Sequence, residues 1–87
     1  MQIIYAREKF PDSWKKSIFL AGPTPRLGKT PSWRPEALKI LEQQGYDGVV
    51  FFPEDRDGRQ YEDFDYKEQV DWEYQGLHFA DAIIFWV

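Results

Sequence analysis

Ser17-Ile18-Phe19-Leu20-Ala21-Gly22 is a continuous apolar run that breaks at Gly22-Pro23. A half-exposed strand would alternate, whereas an unbroken run of this length suits a strand covered on both faces. Two runs of the same kind follow: Val49-Val50-Phe51-Phe52, stopped by Pro53, and Ala82-Ile83-Ile84-Phe85-Trp86-Val87. The segments between them are patterned as helices. Ser32 is placed to cap the first, Pro35 suits its first turn, Ala37, Leu38, Ile40 and Leu41 give it an apolar face, and Gly45 closes it. Asp65 and Glu68 form a capping-box pattern that opens a second helix running to about Phe79, with Tyr66, Val70, Tyr74 and Leu77 as its inward stripe. Ahead of all this, Gln2-Ile3-Ile4-Tyr5 reads either as an opening strand or as the lead-in to a turn at Lys9-Phe10-Pro11-Asp12.

Covered strands recurring about every thirty residues, each pair joined through a helix, predict β-α-β units with right-handed crossovers and a parallel sheet. The expected fold is α/β, flavodoxin-like or Rossmann-like, with three core strands and two helices in one domain over residues 1–87. The last run is apolar enough for a central strand, yet three strands and two helices cannot cover it. The sheet is therefore expected to be incomplete as given, finished by more chain or by a second copy in a homo-oligomer.

A chain of 87 residues with 43% hydrophobic and 18% aromatic residues is too apolar to stay disordered. The net charge of −4, with basic residues scattered, argues against nucleic acid as the main partner. There are no cysteines and a single His, so neither disulfides nor a thiolate metal site is expected. No stretch approaches the roughly 18 apolar residues of a membrane span, and no signal-peptide pattern opens the chain, which leaves the cytoplasm as the expected location.

In a parallel sheet, ligands bind beyond the carboxyl ends of the strands, near the reversal in strand order. Two segments occupy that edge, Pro23 to Pro31 and Glu54 to Gln60. In the first, Gly22, Pro23, Thr24 and Arg26 offer backbone N–H groups, a hydroxyl and a guanidinium for a phosphate or sugar oxygen; the alternative is a rigid, proline-braced connection with a solvated Arg. On the second helix Glu73 falls at the edge of the inward stripe, while Glu68 and Asp71 point away. A half-buried carboxylate beside aromatics can hold sugar hydroxyls, or it can pair with a nearby cation. Glu54 and Asp55 are further acids on the ligand edge. His78 suits the helix dipole at a C-terminal turn, Asp81 suits a turn, and Trp33, Trp72 and Trp86 fit either a base-stacking role or the core.

Taken in order, Ile18-Phe19-Leu20-Ala21-Gly22-Pro23-Thr24-Pro25-Arg26, Trp33-Arg34-Pro35-Glu36-Ala37, Gly48 to Glu54, Trp72-Glu73 and Ala80-Asp81 resemble the nucleoside 2-deoxyribosyltransferase-like family over nearly all of residues 17–87. The resemblance implies transfer of a 2-deoxyribosyl group between bases, or hydrolysis of the N-glycosidic bond, through a covalent sugar intermediate on a Glu carboxylate and without a cofactor. It implies a nucleoside pocket that includes Gly22, Pro23, Thr24 and Arg26, with Glu73 as a supporting acid; Glu54, by its place on the same edge, is a further substrate-binding candidate. It also implies that the nucleophilic Glu lies beyond Val87, in a Thr-Asn-x-Glu-like segment, so these 87 residues alone are expected to be inactive. A noncatalytic nucleotide-binding or assembly module is the alternative. A flavodoxin-type electron carrier fits less well, since the first loop lacks a Ser/Thr-rich phosphate cradle.

Overall fold

The computed structural model describes residues 1–22, 32–54, 56 and 66–85. The chain order is β1 (Gln2–Tyr5), β2 (Ser17–Ala21), α1 (Arg34–Gln43), β3 (Val49–Phe52), α2 (Tyr66–Phe79) and β4 (Ala82–Phe85). All pairings are parallel and the spatial order is β1-β3-β2-β4. The fold is the expected α/β parallel arrangement, with four strands rather than three. The extra one is Gln2–Tyr5, which runs along β3 with Ile4 opposite Phe51. Its weak signal has a simple cause: an edge strand with only Ile4 fully buried carries less apolar sequence than a strand packed on both sides.

Side chains alternate across the sheet and build two cores. On one face Leu20, Val50 and Phe52 receive Ala37, Leu38 and Leu41 of α1. On the other, Ile4, Phe19, Val49 and Phe51 pack with Trp72 of α2. The segment between β1 and β2 adds Phe10 and Trp14 to this second core, with Phe10 4.9 Å and Trp14 5.8 Å from Phe51 by ring centroids. Offset and edge-on aromatic pairs of this kind add to simple area burial.

Helix α1 ends as expected. Gly45 at φ +78 takes the left-handed position, and the Gly45 and Tyr46 N–H groups close back on the Glu42 and Leu41 carbonyls in a Schellman motif. Its start differs by one residue from the expectation: Trp33 is the N-cap and makes no side-chain cap bond. Ser32, one position further out, accepts the Arg34 N–H on its hydroxyl at 3.1 Å.

Helix α2 faces the sheet with a different stripe from the one expected. Gln69, Trp72 and Gly76 are buried and Glu73 half-buried, whereas Val70 and Leu77 are exposed and Tyr74 is 73% exposed. Shape decides against apolar count. A Cβ on Gly76 would sit 2.7 Å from the Phe19 ring, so the glycine lets the helix approach the sheet closely enough for Trp72 to enter the aromatic core. The Trp72 indole N–H then reaches the Glu8 carbonyl at 3.1 Å. Asp65, the first half of the expected capping box, lies outside the described residues. Among the described residues β4 pairs with β2 alone and all four of its residues are exposed, in keeping with a sheet expected to be incomplete as given. No helix among the described residues is long and apolar enough to cross a membrane.

Candidate functional site

The connection from β2 to β3 moves one way across the sheet, and the connection from β3 to β4 returns past β2 to its other side. The reversal in strand order therefore lies between β2 and β4, where doubly wound sheets open a crevice at their carboxyl ends. A cleft of about 280 Å³ is found there, with Ala21, Gly22, Arg34, Glu73, Leu77 and Phe85 among its lining. This is near the lower end of the size range of small-molecule sites. The floor is apolar and two charged side chains reach it.

Arg34 is the first residue of α1 and is fully buried. Its Nε donates to the Leu20 carbonyl at 3.0 Å and one terminal nitrogen to the Gly22 carbonyl at 2.7 Å. The other terminal nitrogen lies 2.7 Å from Oε2 of Glu54, which is 19% exposed. The Ser32 hydroxyl donates to the same carboxylate oxygen, and the guanidinium stands 5.0 Å from the centre of the Trp33 ring. A guanidinium can serve two carbonyls and a carboxylate at once because its donors diverge in a plane. It thus binds the end of β2, the start of α1 and the residue after Pro53 into one unit. Gly22, at φ +132, turns the chain where a side chain would be strained.

Glu73 reaches the cleft from α2 and accepts a 2.7 Å hydrogen bond from the Gln69 amide. Gln69 in turn accepts from Arg7 at 2.9 Å. Arg7 follows β1, so it too belongs to the carboxyl edge of the sheet, where the Ala6 N–H also bonds the Glu54 carbonyl at 3.0 Å. Nearby, a forked contact from Arg56, at 2.7 and 2.8 Å, holds the Glu8 carboxyl below the usual carboxylate range.

Of the residues singled out from sequence, Gly22 and Glu73 meet at the cleft. Glu54 stands behind it, reaching it through Arg34. Pro23, Thr24 and Arg26 lie outside the described residues, as do Asp55 and Trp86. Trp72 is core and Trp33 packs beside α1. His78 is exposed, stacked on Tyr74 at 6.4 Å. Asp81 clasps the start of β2: its Oδ2 accepts the Ser17 N–H at 2.8 Å, and its own N–H bonds the Ser17 carbonyl at 3.1 Å.

Sequence reading overlooked Arg34 and Gln69 as site residues. A signal for Arg34 was present: a cation in the first turn of a helix opposes the helix dipole, so its place there calls for a strong partner. Gln69 carried no such mark, because an isolated Gln on a helix is usually solvated.

An open parallel sheet with a helix on each face and a cleft at its strand-order reversal defines an α/β protein of the flavodoxin-like or Rossmann-like kind. Residues 15–87 match the family model described as nucleoside 2-deoxyribosyltransferase like, and the chain belongs to that family. No curated protein matches it.

Proposed function

We propose that this chain forms part of the substrate pocket of an enzyme acting at the N-glycosidic bond of nucleosides or nucleotides, by 2-deoxyribosyl transfer or by hydrolysis. The observation that carries the reading is the cleft between β2 and β4, with the Glu73 carboxylate on one wall and the Arg34–Glu54 brace behind the other. In such a reaction a carboxylate attacks the anomeric carbon, the carbon–nitrogen bond breaks, and its electron pair leaves on the base nitrogen, which takes a proton. A second base or water then displaces the carboxylate. The attacking Glu is proposed to lie outside these 87 residues. This chain binds and orients: Glu73 accepts hydrogen bonds from the nucleoside, Gly22 lets the backbone approach it, Glu54 fixes Arg34, and Pro23, Thr24 and Arg26 are further proposed contacts to the substrate. No cofactor enters the scheme.

Titration with 2′-deoxynucleosides, followed by amide chemical shifts, tests this. Perturbations are expected around Gly22, Glu73 and Phe85, with about tenfold weaker binding in Glu73→Ala. Shifts elsewhere, or an unaltered affinity in Glu73→Ala, would sink the assignment. Release of free base by the chain alone is expected to be nil. The exposed apolar side chains of β4 favour a second reading, a noncatalytic assembly module. Concentration-dependent dimerisation on sedimentation, with nucleoside bound but never turned over, would support that one.

A further inference from the structure

Gln69 is a buried polar residue, 3% exposed, that the nucleoside reading does not use. A side-chain amide has one accepting and one donating end, and its neighbours decide which faces which. Arg7 has only donors, so the Gln69 oxygen must face it, as it does at 2.9 Å. The amide nitrogen is thereby committed to Oε2 of Glu73, at 2.7 Å. Turning the amide over would set N–H against N–H at Arg7 and oxygen against oxygen at Glu73. The relay therefore has one sense: it donates to Glu73 and holds that carboxylate as an acceptor.

The backbone at Arg7 points the same way. A 3.0 Å bond from the Glu8 N–H to the Tyr5 carbonyl closes a turn in which Arg7 is the third residue, at φ +65. That position favours Gly, and an ordinary residue is strained there. Glycine would turn the chain without strain but would leave Gln69 without this donor.

We propose that Arg7 and Gln69 are positioning residues that hold Glu73 as a hydrogen-bond acceptor facing the cleft, so that the cleft selects nucleosides presenting an O–H or N–H donor to it. This rests on the nucleoside reading for its ligand and on Arg7, Gln69 and Glu73 alone for its geometry.

The test combines three readouts on wild type, Arg7→Gly, Arg7→Lys and Glu73→Ala: the unfolding midpoint, the Gln69 side-chain amide cross-peaks, and affinity for 2′-deoxyadenosine. Two analogues, one lacking the 3′-hydroxyl and one lacking the exocyclic amine, distinguish a sugar donor from a base donor. Arg7→Gly is expected to unfold no earlier than wild type, to move the Gln69 cross-peaks, and to bind 2′-deoxyadenosine about two- to tenfold more weakly. Arg7→Lys, which keeps a donor, recovers part of that affinity. The analogue missing the contacted donor binds more weakly to wild type and loses nothing further in Arg7→Gly. Cross-peaks unmoved by both Arg7→Gly and Glu73→Ala overturn the relay, whatever nucleosides do. A midpoint that falls in step with affinity makes Arg7 a structural brace and overturns its positioning role. If wild type binds no nucleoside, the selectivity falls with the nucleoside reading, and the cross-peaks alone decide the relay.

Discussion

Val49–Phe52 and Ala82–Phe85 are strands of equal length and similar apolar character in opposite surroundings. Every residue of β3 is at most 5% exposed, whereas Phe85 in β4 is 65% exposed. The difference lies in the neighbours. β3 is flanked by β1 and β2 and covered by a core on each face, while among the described residues β4 has β2 alone. An apolar strand sequence thus records the environment a strand is suited to, and the packing around it decides whether that environment is supplied.

The comparison breaks most sharply under truncation. Phe51→Ala is expected to cost about 3–5 kcal/mol in urea unfolding, and Phe85→Ala under about 0.5 kcal/mol. Equal losses would mean that β4 is covered in solution. Next in size is the brace between β2 and β3. Arg34→Met takes the guanidinium away from Glu54 and from the Leu20 and Gly22 carbonyls and is expected to cost about 3 kcal/mol, with Arg34→Lys recovering little because an ammonium lacks the fork. Faster hydrogen exchange at Gly22 than in wild type would place the damage at the cleft. Smaller again is the contact of α2 with β2. Gly76→Ala presses a methyl into the Phe19 ring and should cost about 1–3 kcal/mol, while β4, on the far side of β2, keeps its pairing by amide exchange.

The smallest effect is at the opposite edge, beside β1. The folded Glu8 carboxyl titrates below its unfolded value because Arg56 bonds its charged form. Its contribution is therefore fully present above the unfolded value and is lost as pH falls through the lower, folded one. Both side chains are solvated, so the contribution is small. Arg56→Gln is expected to lower stability slightly at neutral pH and to converge on wild type at low pH, so that the acid limb of the stability–pH curve flattens.

The covered strands, the helix between Pro35 and Gly45 and the parallel sheet were legible because each rests on local pattern: unbroken apolar runs, a proline at a helix start, a glycine at its end. The inward face of α2 was not. Tyr66, Val70, Tyr74 and Leu77 make the better apolar stripe, but Gly76 and Trp72 match the relief of Phe19 and Phe51, and relief is a property of the partner surface. Glu73 was placed correctly at the margin of that face, since it borders either stripe. Arg34 and Gln69 escaped notice for the same reason as the face itself: their partners at Leu20, Gly22, Glu54 and Arg7 come from other elements.

The Ser17–Asp81 clasp joins residues 64 apart in sequence and fixes the level at which β4 meets β2. A slip of one residue would exchange the two faces of β4 and carry Phe85 away from the cleft. Closing a loop of that length costs about 4 kcal/mol of chain entropy beyond a constant, before the closing contacts return anything. The contacts that set this register are thus the least local of the sheet's pairings among the described residues, and the mouth of the cleft depends on Asp81 reaching Ser17.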